Sequence, residues 1–358
     1  MDGMMKVLIA MSGGVDSSVA AKLLCDEGCE CIGCTMKLYD NCDAGLPRGR
    51  TCCSLDDVED ARSVAFSLGM RYYVFNFKDD FREKVIKKFA SGYLRGQTPN
   101  PCIDCNRYMK FDKLLERAKL LGCDKLATGH YARIEFDGEK YRLKKALDKS
   151  KDQSYVLYML TQEQLAHTLF PLGSLYKTDT RAIADAADLS SARKPDSQDI
   201  CFVPDGDYAA AIERLTGEKA PCGDFIDASG KILGTHRGIT HYTVGQHRGL
   251  GLSLPERRYV CGIDAESGTV TLGGSDELYS STAEVHGFNW ISGETPAEPI
   301  RCTAKIRYRQ PEQPATAIAH KGGSITIQFD SPQRAVTPGQ AAVLYDCDTV
   351  LGGGEIVR

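Results

Sequence analysis

Residues 6–24, KVLIAMSGGVDSSVAAKLL, open on an apolar run, break at two glycines and resume as an amphipathic pattern. Val7, Leu8, Ile9, Ala10 and Met11 show no polar alternation, which suits a parallel strand covered on both faces. The string Ser12-Gly13-Gly14-Val15-Asp16-Ser17-Ser18 then supplies flexible backbone, hydroxyls and one carboxylate. Glycines let main-chain N–H groups close around an anion. Asp16, Ser17 or Ser18 can cap the helix that follows, whose positive end points back at the loop. The unit reads as strand, phosphate loop, helix. A plain turn that needs two glycines is the simpler account, since neither GxxxxGK[ST] nor GxGxxG occurs here.

Outward from that unit the alternation continues. A helix is predicted over 15–28, a strand over 31–36 and an irregular insertion over 39–53. Ser54 with Asp57 resembles a capping arrangement for a helix that stops at Gly69, and a strand follows over 72–77. Phe81, Val85, Ile86, Phe89 and Tyr93 recur at helical spacing over 80–94. A further helix is predicted over 111–121 and a strand over 125–128. This order predicts an α/β fold, a doubly wound parallel sheet. Asp137-Gly138 marks a hairpin between 132–136 and 140–143, and helical patterns return over 161–169 and 179–189. Beyond about residue 215, glycine, Thr and Val rise and short alternating runs are separated by turns. The expected division is a catalytic domain over 1–205, a small β-rich domain over 206–277 and a β-barrel or sandwich over 278–358. Runs at 304–308, 324–329 and 341–345 supply strands of the last unit.

The 358 residues suffice for two or three cores, and 42% hydrophobic with 26% charged residues is a globular composition. No apolar run approaches the ~18 residues of a membrane helix, and the N-terminal run is too short for a signal peptide. A cytoplasmic chain without a membrane partner is expected. Fifteen cysteines, seven of them before residue 54, are then mostly reduced, and the odd count argues against a fully paired framework. The net charge of −4 argues against indiscriminate nucleic-acid binding. Local basic patches stand out at 82–95, 140–151 and 301–309, each with a solvated face as the simpler account.

The segment 96–111, GQTPNPCIDCNRYMKF, is the second informative stretch. Pro99 and Pro101 predict a rigid loop that carries Cys102 and Cys105 between two helices. Such a pair serves as half a zinc site, a redox couple or part of a cluster. A second Cys-x-x-Cys with zinc-knuckle spacing is absent. Cys201, within SQDICF, is either a core thiol or a distant partner.

The string SGGVDSS resembles the signature of the PP-loop (N-type) ATP pyrophosphatases, which cleave ATP between the α and β phosphates and activate an oxygen as its adenylate. Taken together, SGGVDSS, TPNPxxxCNxxxKF, ATGHYAR, KDQSY, SQDICF, GQxxGLG and IRYRQ resemble the tRNA-specific 2-thiouridylase family over most of the chain. The resemblance implies a PP-loop domain, a small β domain and a C-terminal β-barrel. It implies replacement of O2 of a tRNA wobble uridine by sulfur, with ATP and Mg2+. A cysteine desulfurase or sulfur-relay protein would be the sulfur donor. Cys105 matches the family nucleophile and Cys201 the persulfide carrier. Ala10, Met11, Ser12, Gly13, Gly14, Val15, Asp16 and Ser17 match the nucleotide loop, with Met36 and Gly129 near the nucleotide. Asn100, Pro101 and Cys102, then Lys151, Asp152 and Gln153, and finally Arg307 and Tyr308, match tRNA-contacting positions.

Under that resemblance, adenylation turns a poor leaving oxygen into a good one. The Cys201 persulfide then attacks C2, or Cys105 first frees sulfide from it and leaves a Cys105–Cys201 disulfide. The latter needs Cα atoms within about 7 Å. The base must leave its stack, which favours an anticodon loop as substrate. One departure is Asn100-Pro101-Cys102 where family members often carry Asn-Pro-Asp; Asp104 lies two residues further on. Cys102, Cys105 and Cys201 also match the ligand count of an iron–sulfur cluster held by three corners, a second way to carry the sulfur. A PP-loop amide-forming ligase would use the same nucleotide loop but leave the cysteines without purpose. A non-enzymatic RNA-binding module would have no need of an ATP loop.

Overall fold

The computed structural model describes residues 4–39, 55–195, 200–203 and 205–358. The expectations for Cys42, Cys52, Cys53, the Ser54 cap and Ser197 to Asp199 lie outside those residues. Strand β1 (Lys6–Ala10) is followed by helix α1 (Val15–Asp26), β2 (Glu30–Lys37), α2 (Leu55–Ser67) and β3 (Arg71–Asn76). Two long helices come next, α3 over 78–94 and α4 over 101–120, each with a stretch of π-helix inside it. Then β4 (Lys125–Thr128), the hairpin β5 (Ala132–Phe136) and β6 (Tyr141–Lys145), α5 (Gln162–Ala166), β7 (Thr168–Leu169) and α6 (Lys177–Ala186) complete the first part.

The parallel sheet runs β3-β2-β1-β4-β7, with the phosphate-loop strand at its centre. Alternate residues of β1 feed opposite faces. Val7 and Ile9 join α1, α2 and α6 side chains such as Val19, Val64 and Ala184. Leu8 joins Phe81 and Phe89 of α3 and Met109 and Phe111 of α4. A sheet covered on both sides needs an unbroken apolar strand, and all three of these β1 side chains are fully buried.

Helix α7 (Tyr208–Thr216), absent from the expected elements although Asp207 caps its start and Gly217 ends it, leads to β8 (Gly223–Ile226), β9 (Ile232–His236), β10 (Tyr259–Asp264) and β11 (Thr269–Gly273). They form a sheet in the order β10-β11-β8-β9 around Phe225, Val260, Val270 and Leu272. The last strands are β12 (Tyr279–Trp290), β13 (Ile300–Lys305), β14 (Gln313–Ala319), β15 (Ile325–Arg334), β16 (Ala341–Asp346) and β17 (Thr349–Ile356). Six antiparallel strands in the order β12-β15-β14-β13-β16-β17 close through β12–β17 pairing into a barrel. Its interior is filled by small and β-branched side chains such as Ala283, Val285, Ala315, Ala317 and Ile327. Among the described residues no helix is long and apolar enough to cross a membrane.

Two expectations are corrected. Cys102 and Cys105 do not sit on a loop: Pro101 occupies the first helical position, and the Asn100 side chain accepts from the Cys102 N–H at 3.1 Å. Proline is tolerated there because that N–H has no intrahelical partner. Helix α1 is capped by the Gly14 backbone with no side-chain cap bond, while the Ser17 and Ser18 hydroxyls donate back to the Gly14 carbonyl at 3.1 and 3.0 Å. The β5–β6 hairpin, within the expected first domain, also pairs through β6 with β17 and extends the barrel sheet.

Candidate active site

The phosphate loop is held open from three sides. Gly13 has φ +74°, and a Cβ there would run into the Asp57 carbonyl at the start of α2. The Ser12 N–H donates to Ser17 Oγ at 3.1 Å, which curls the loop over the helix start. Gly129, just after β4, sits so close that a Cβ would lie 2.8 Å from the Ser17 nitrogen. Backbone therefore lines this end of α1, and the first N–H groups of a helix lack intrahelical partners, a setting suited to phosphate. Asp16 is the carboxylate of the loop. Its Oδ1 accepts from the Tyr131 hydroxyl at 2.8 Å and from Lys177 Nζ at 2.6 Å. One carboxylate beside incoming phosphates fits a magnesium nucleotide, since that ion binds through one or two carboxylates plus phosphate oxygens.

Cys105 begins the π-helical stretch of α4, and such stretches occur preferentially at functional sites. Burial pushes its thiol up, Lys110 pulls it back and Asp104 adds to the rise. Asp104 is itself buried and paired with Lys88 Nζ at 2.8 Å. Lys110 also donates to His130 Nε2 at 3.2 Å. An ammonium offers only donors, so Nε2 accepts and the proton resides on Nδ1, which donates to Thr128 Oγ1 at 2.6 Å. Burial and then Lys110 hold His130 well below the ordinary imidazole pKa, so the ring is neutral.

Cys201 is half-buried, and its carbonyl accepts from the Tyr39 hydroxyl at 2.8 Å. The next residue, Phe202, inserts edge-on against Phe81 and Phe89, at ring separations of 5.8 and 5.4 Å. Cys105, Cys201, Met36 and Ala10 are partly buried and pack against the same extended hydrophobic cluster on one side of the parallel sheet. Cys102 is exposed. Among the described residues no three His, Cys, Asp or Glu side chains are gathered so as to hold a metal ion. The three thiols do not fit a cluster in this arrangement.

The tRNA-contacting candidates divide into two kinds. Tyr308, at the barrel rim, is partly exposed, and burial followed by neighbouring Asp152 and Cys102 pushes its phenol up. Segments near 102, 152 and 308 therefore lie within electrostatic reach of one another. Lys305 stands 5.8 Å from both the Tyr155 and Tyr308 ring centroids. Thr98 donates to the Pro338 carbonyl and accepts from Gln340, which locks the approach to Asn100 and Pro101 onto the barrel. Arg307, in contrast, points inward. Its guanidinium donates to the Val244 and Ala335 carbonyls at 3.0 and 3.1 Å and to Thr337 Oγ1 at 2.6 Å, clamping the small β unit to the barrel. Asp152 likewise accepts from Ala146 N and from Ser154, so its carboxylate shapes its own loop.

The basic runs are also thinner than their composition suggested. Lys140, Arg142, Lys144 and Lys145 pair with Glu294, Asp137, Glu135 and Glu312, and Arg301 pairs with Asp330. Hairpin and barrel neighbours, invisible in a linear charge count, account for this. Sequence reasoning assigned no role to Lys110, His130, Tyr131 or Lys177. The first three lie inside the quoted strings MKF and GHYAR; Lys177 carried no local signal.

Comparison with known proteins follows the same three-part layout. The profile described as tRNA methyl transferase HUP domain matches residues 5–205. A tRNA methyl transferase PRC-barrel domain matches 211–274, and an aminomethyltransferase beta-barrel domain matches 280–356. The tRNA-specific 2-thiouridylase MnmA of Acetivibrio thermocellus is 51% identical over 98% of this chain and 99% of its own length. The protein of that name from Geotalea uraniireducens is 50% identical over 98% and 94%, and that from Clostridioides difficile 48% over 99% and 98%. With the domain profile matching 5–205 and relatives of that name about half identical along nearly the whole chain, the chain belongs to the tRNA-specific 2-thiouridylase family.

Proposed function

We propose that this protein replaces O2 of a tRNA wobble uridine with sulfur at the expense of ATP, as a tRNA-uridine 2-sulfurtransferase. The observation that supports the reading is that Ala10 of the phosphate-loop strand, Met36, Cys105 and Cys201 pack against one hydrophobic cluster, while Tyr308 lies within the electrostatic reach of Asp152 and Cys102. The nucleotide loop, two sulfur-bearing side chains and an RNA-facing rim are thereby supplied by distant segments. Residues 10–17 with Met36 and Gly129 would bind ATP. Magnesium, held with Asp16, would offset the phosphate charge.

The uridine O2 attacks the α phosphorus and pyrophosphate leaves. The outer sulfur of a Cys201 persulfide then bonds to C2 and AMP departs with the oxygen. Cys105 thiolate attacks Cys201 Sγ, the S–S bond to the new thiocarbonyl breaks, and a Cys105–Cys201 disulfide remains for a thiol reductant to reopen. Asn100, Pro101, Cys102, 151–153 and Tyr308 would receive the anticodon loop, with Arg307 fixing the barrel that presents Tyr308. A cysteine desulfurase or a sulfur-relay protein would load Cys201.

The test is incubation with ATP, magnesium, a sulfur donor and unmodified tRNA, followed by mercury-gel retardation. Thiolated RNA from the wild type is the expected result; no thiolation with a competent donor would overturn the reading.

A further inference from the structure

The two side chains that hold Asp16 are both anchored on one loop. Tyr131 exchanges two hydrogen bonds with Gln153: its N–H donates to Gln153 Oε1 at 3.0 Å, and its carbonyl accepts from the Gln153 N–H at 2.9 Å. At the other end of the loop, Asp148 Oδ2 accepts from the Lys177 N–H at 3.1 Å. The loop between is stiff. Asp148 also accepts from Ser150 N and Oγ, its carbonyl accepts from Lys151 N, and Asp152 accepts from Ala146 N and Ser154. A displacement at 149–152 is thus transmitted to both ends together.

Tyr131 and Lys177 carry that loop to the nucleotide end. The Tyr131 hydroxyl and Lys177 Nζ converge on the same oxygen, Asp16 Oδ1, and the Lys177 ammonium also lies 5.7 Å from the Tyr131 ring centroid. Thr180, one turn along α6, meets the Tyr131 hydroxyl at 3.0 Å and fixes the ring. The Lys177 and Asp16 side chains are 12% and 33% exposed, so the junction is largely shielded from competing water.

We propose that Tyr131 and Lys177 are positioning residues that hold the Asp16 carboxylate in register with loop 148–153, so that nucleotide binding and tRNA binding strengthen one another. The proposal rests on the proposed function, in which 151–153 contacts tRNA. An RNA seated on the loop restrains Tyr131 and Lys177, and a restrained pair presents Asp16 in one orientation to the incoming magnesium nucleotide. Linkage makes the effect reciprocal. ATP would be held more tightly once the acceptor is bound, which favours pyrophosphate release on the tRNA-bound enzyme.

The experiment measures the Kd of a nucleotide with a methylene group between its α and β phosphates, with and without unmodified tRNA, in the full chain. Wild type is expected to bind the analogue at least about five-fold more tightly with tRNA, and tRNA correspondingly more tightly with analogue. Tyr131→Phe, which removes one hydroxyl, is expected to bring the ratio close to one. Lys177→Met is expected to do the same, and Lys177→Arg to restore part of it. A purely structural role would weaken both binding states equally and leave the ratio unchanged. A wild-type ratio near one, or an undiminished ratio in both Tyr131→Phe and Lys177→Met, overturns the proposal. Lys151→Glu separates the two readings. If it leaves tRNA affinity unchanged, the RNA-contact assignment fails. If it weakens tRNA while the nucleotide ratio stays near one in wild type, only the coupling fails.

Discussion

The phosphate loop and the sulfur site are assembled in opposite ways. Residues 12–18 form a contiguous string whose function depends on backbone: Gly13 at φ +74°, Gly14 at the helix start and Ser17 folding back on Ser12. The proposed sulfur site draws on Cys105 inside α4 and Cys201 on a distant segment, which pack against the same hydrophobic cluster. A local backbone device tolerates little change in shape. An assembled site depends on every contact that brings its parts together.

The largest effect should come from the assembled site. Cys105→Ser and Cys201→Ser are each expected to lower tRNA thiolation by at least roughly a thousand-fold while nucleotide affinity stays within about two-fold. If either variant also lost nucleotide binding, the two regions would not be separable. Asp16→Asn comes next, with tRNA-dependent pyrophosphate release lowered by about a hundred-fold and tRNA affinity largely kept. Equal loss of both would break the contrast from the other side.

Smaller effects sharpen it. Gly13→Ala places a side chain at a positive φ against the Asp57 carbonyl, and we expect a loss of about 1–3 kcal/mol in denaturant unfolding together with weaker nucleotide binding. Arg307→Ala removes a donor from two carbonyls and Thr337, and the cost of leaving them unmet is about 1–3 kcal/mol. Its tRNA affinity should fall through loosened barrel docking, and restoring protein stability with a co-solvent should restore part of it.

The smallest effect concerns pH. Only the thiolate reacts, and burial raises the Cys105 thiol while Lys110 opposes that rise. Alkylation of the Cys105 peptide, followed by mass spectrometry, should therefore increase with pH and reach its midpoint above the ~8.5 of an ordinary thiol. Lys110→Gln should move that midpoint further up; a downward shift would contradict the assignment of Lys110 as the opposing cation.

The same contrast explains what was legible beforehand. The strand, loop and helix of residues 6–24 follow from an apolar run and two glycines, both local signals. The six-stranded barrel was foreshadowed by short alternating runs, although its strand at 300–305 begins earlier than the expected 304–308. Pro99 and Pro101 predict a loop around Cys102 and Cys105, but a proline at the first helical position starts a helix instead of breaking one. The hairpin at 132–145 looked like part of the parallel domain, and nothing local revealed that β6 would pair with β17. Arg307 looked available to RNA because its partners lie in other segments, and the charge of Lys140 and Lys145 is likewise met by Glu294 and Glu312 from beyond the hairpin. Lys177 reaches Asp16 only through the packing of α6 on α1, a contact that no motif encodes.

The central claim is that one loop activates the uridine and two remote cysteines then deliver sulfur to it. Its most direct test follows pyrophosphate release and RNA thiolation together in Cys201→Ser, with ATP, magnesium, sulfur donor and unmodified tRNA. The account expects tRNA-dependent pyrophosphate release to persist with no mercury-retarded RNA. Retained thiolation in that variant would contradict it.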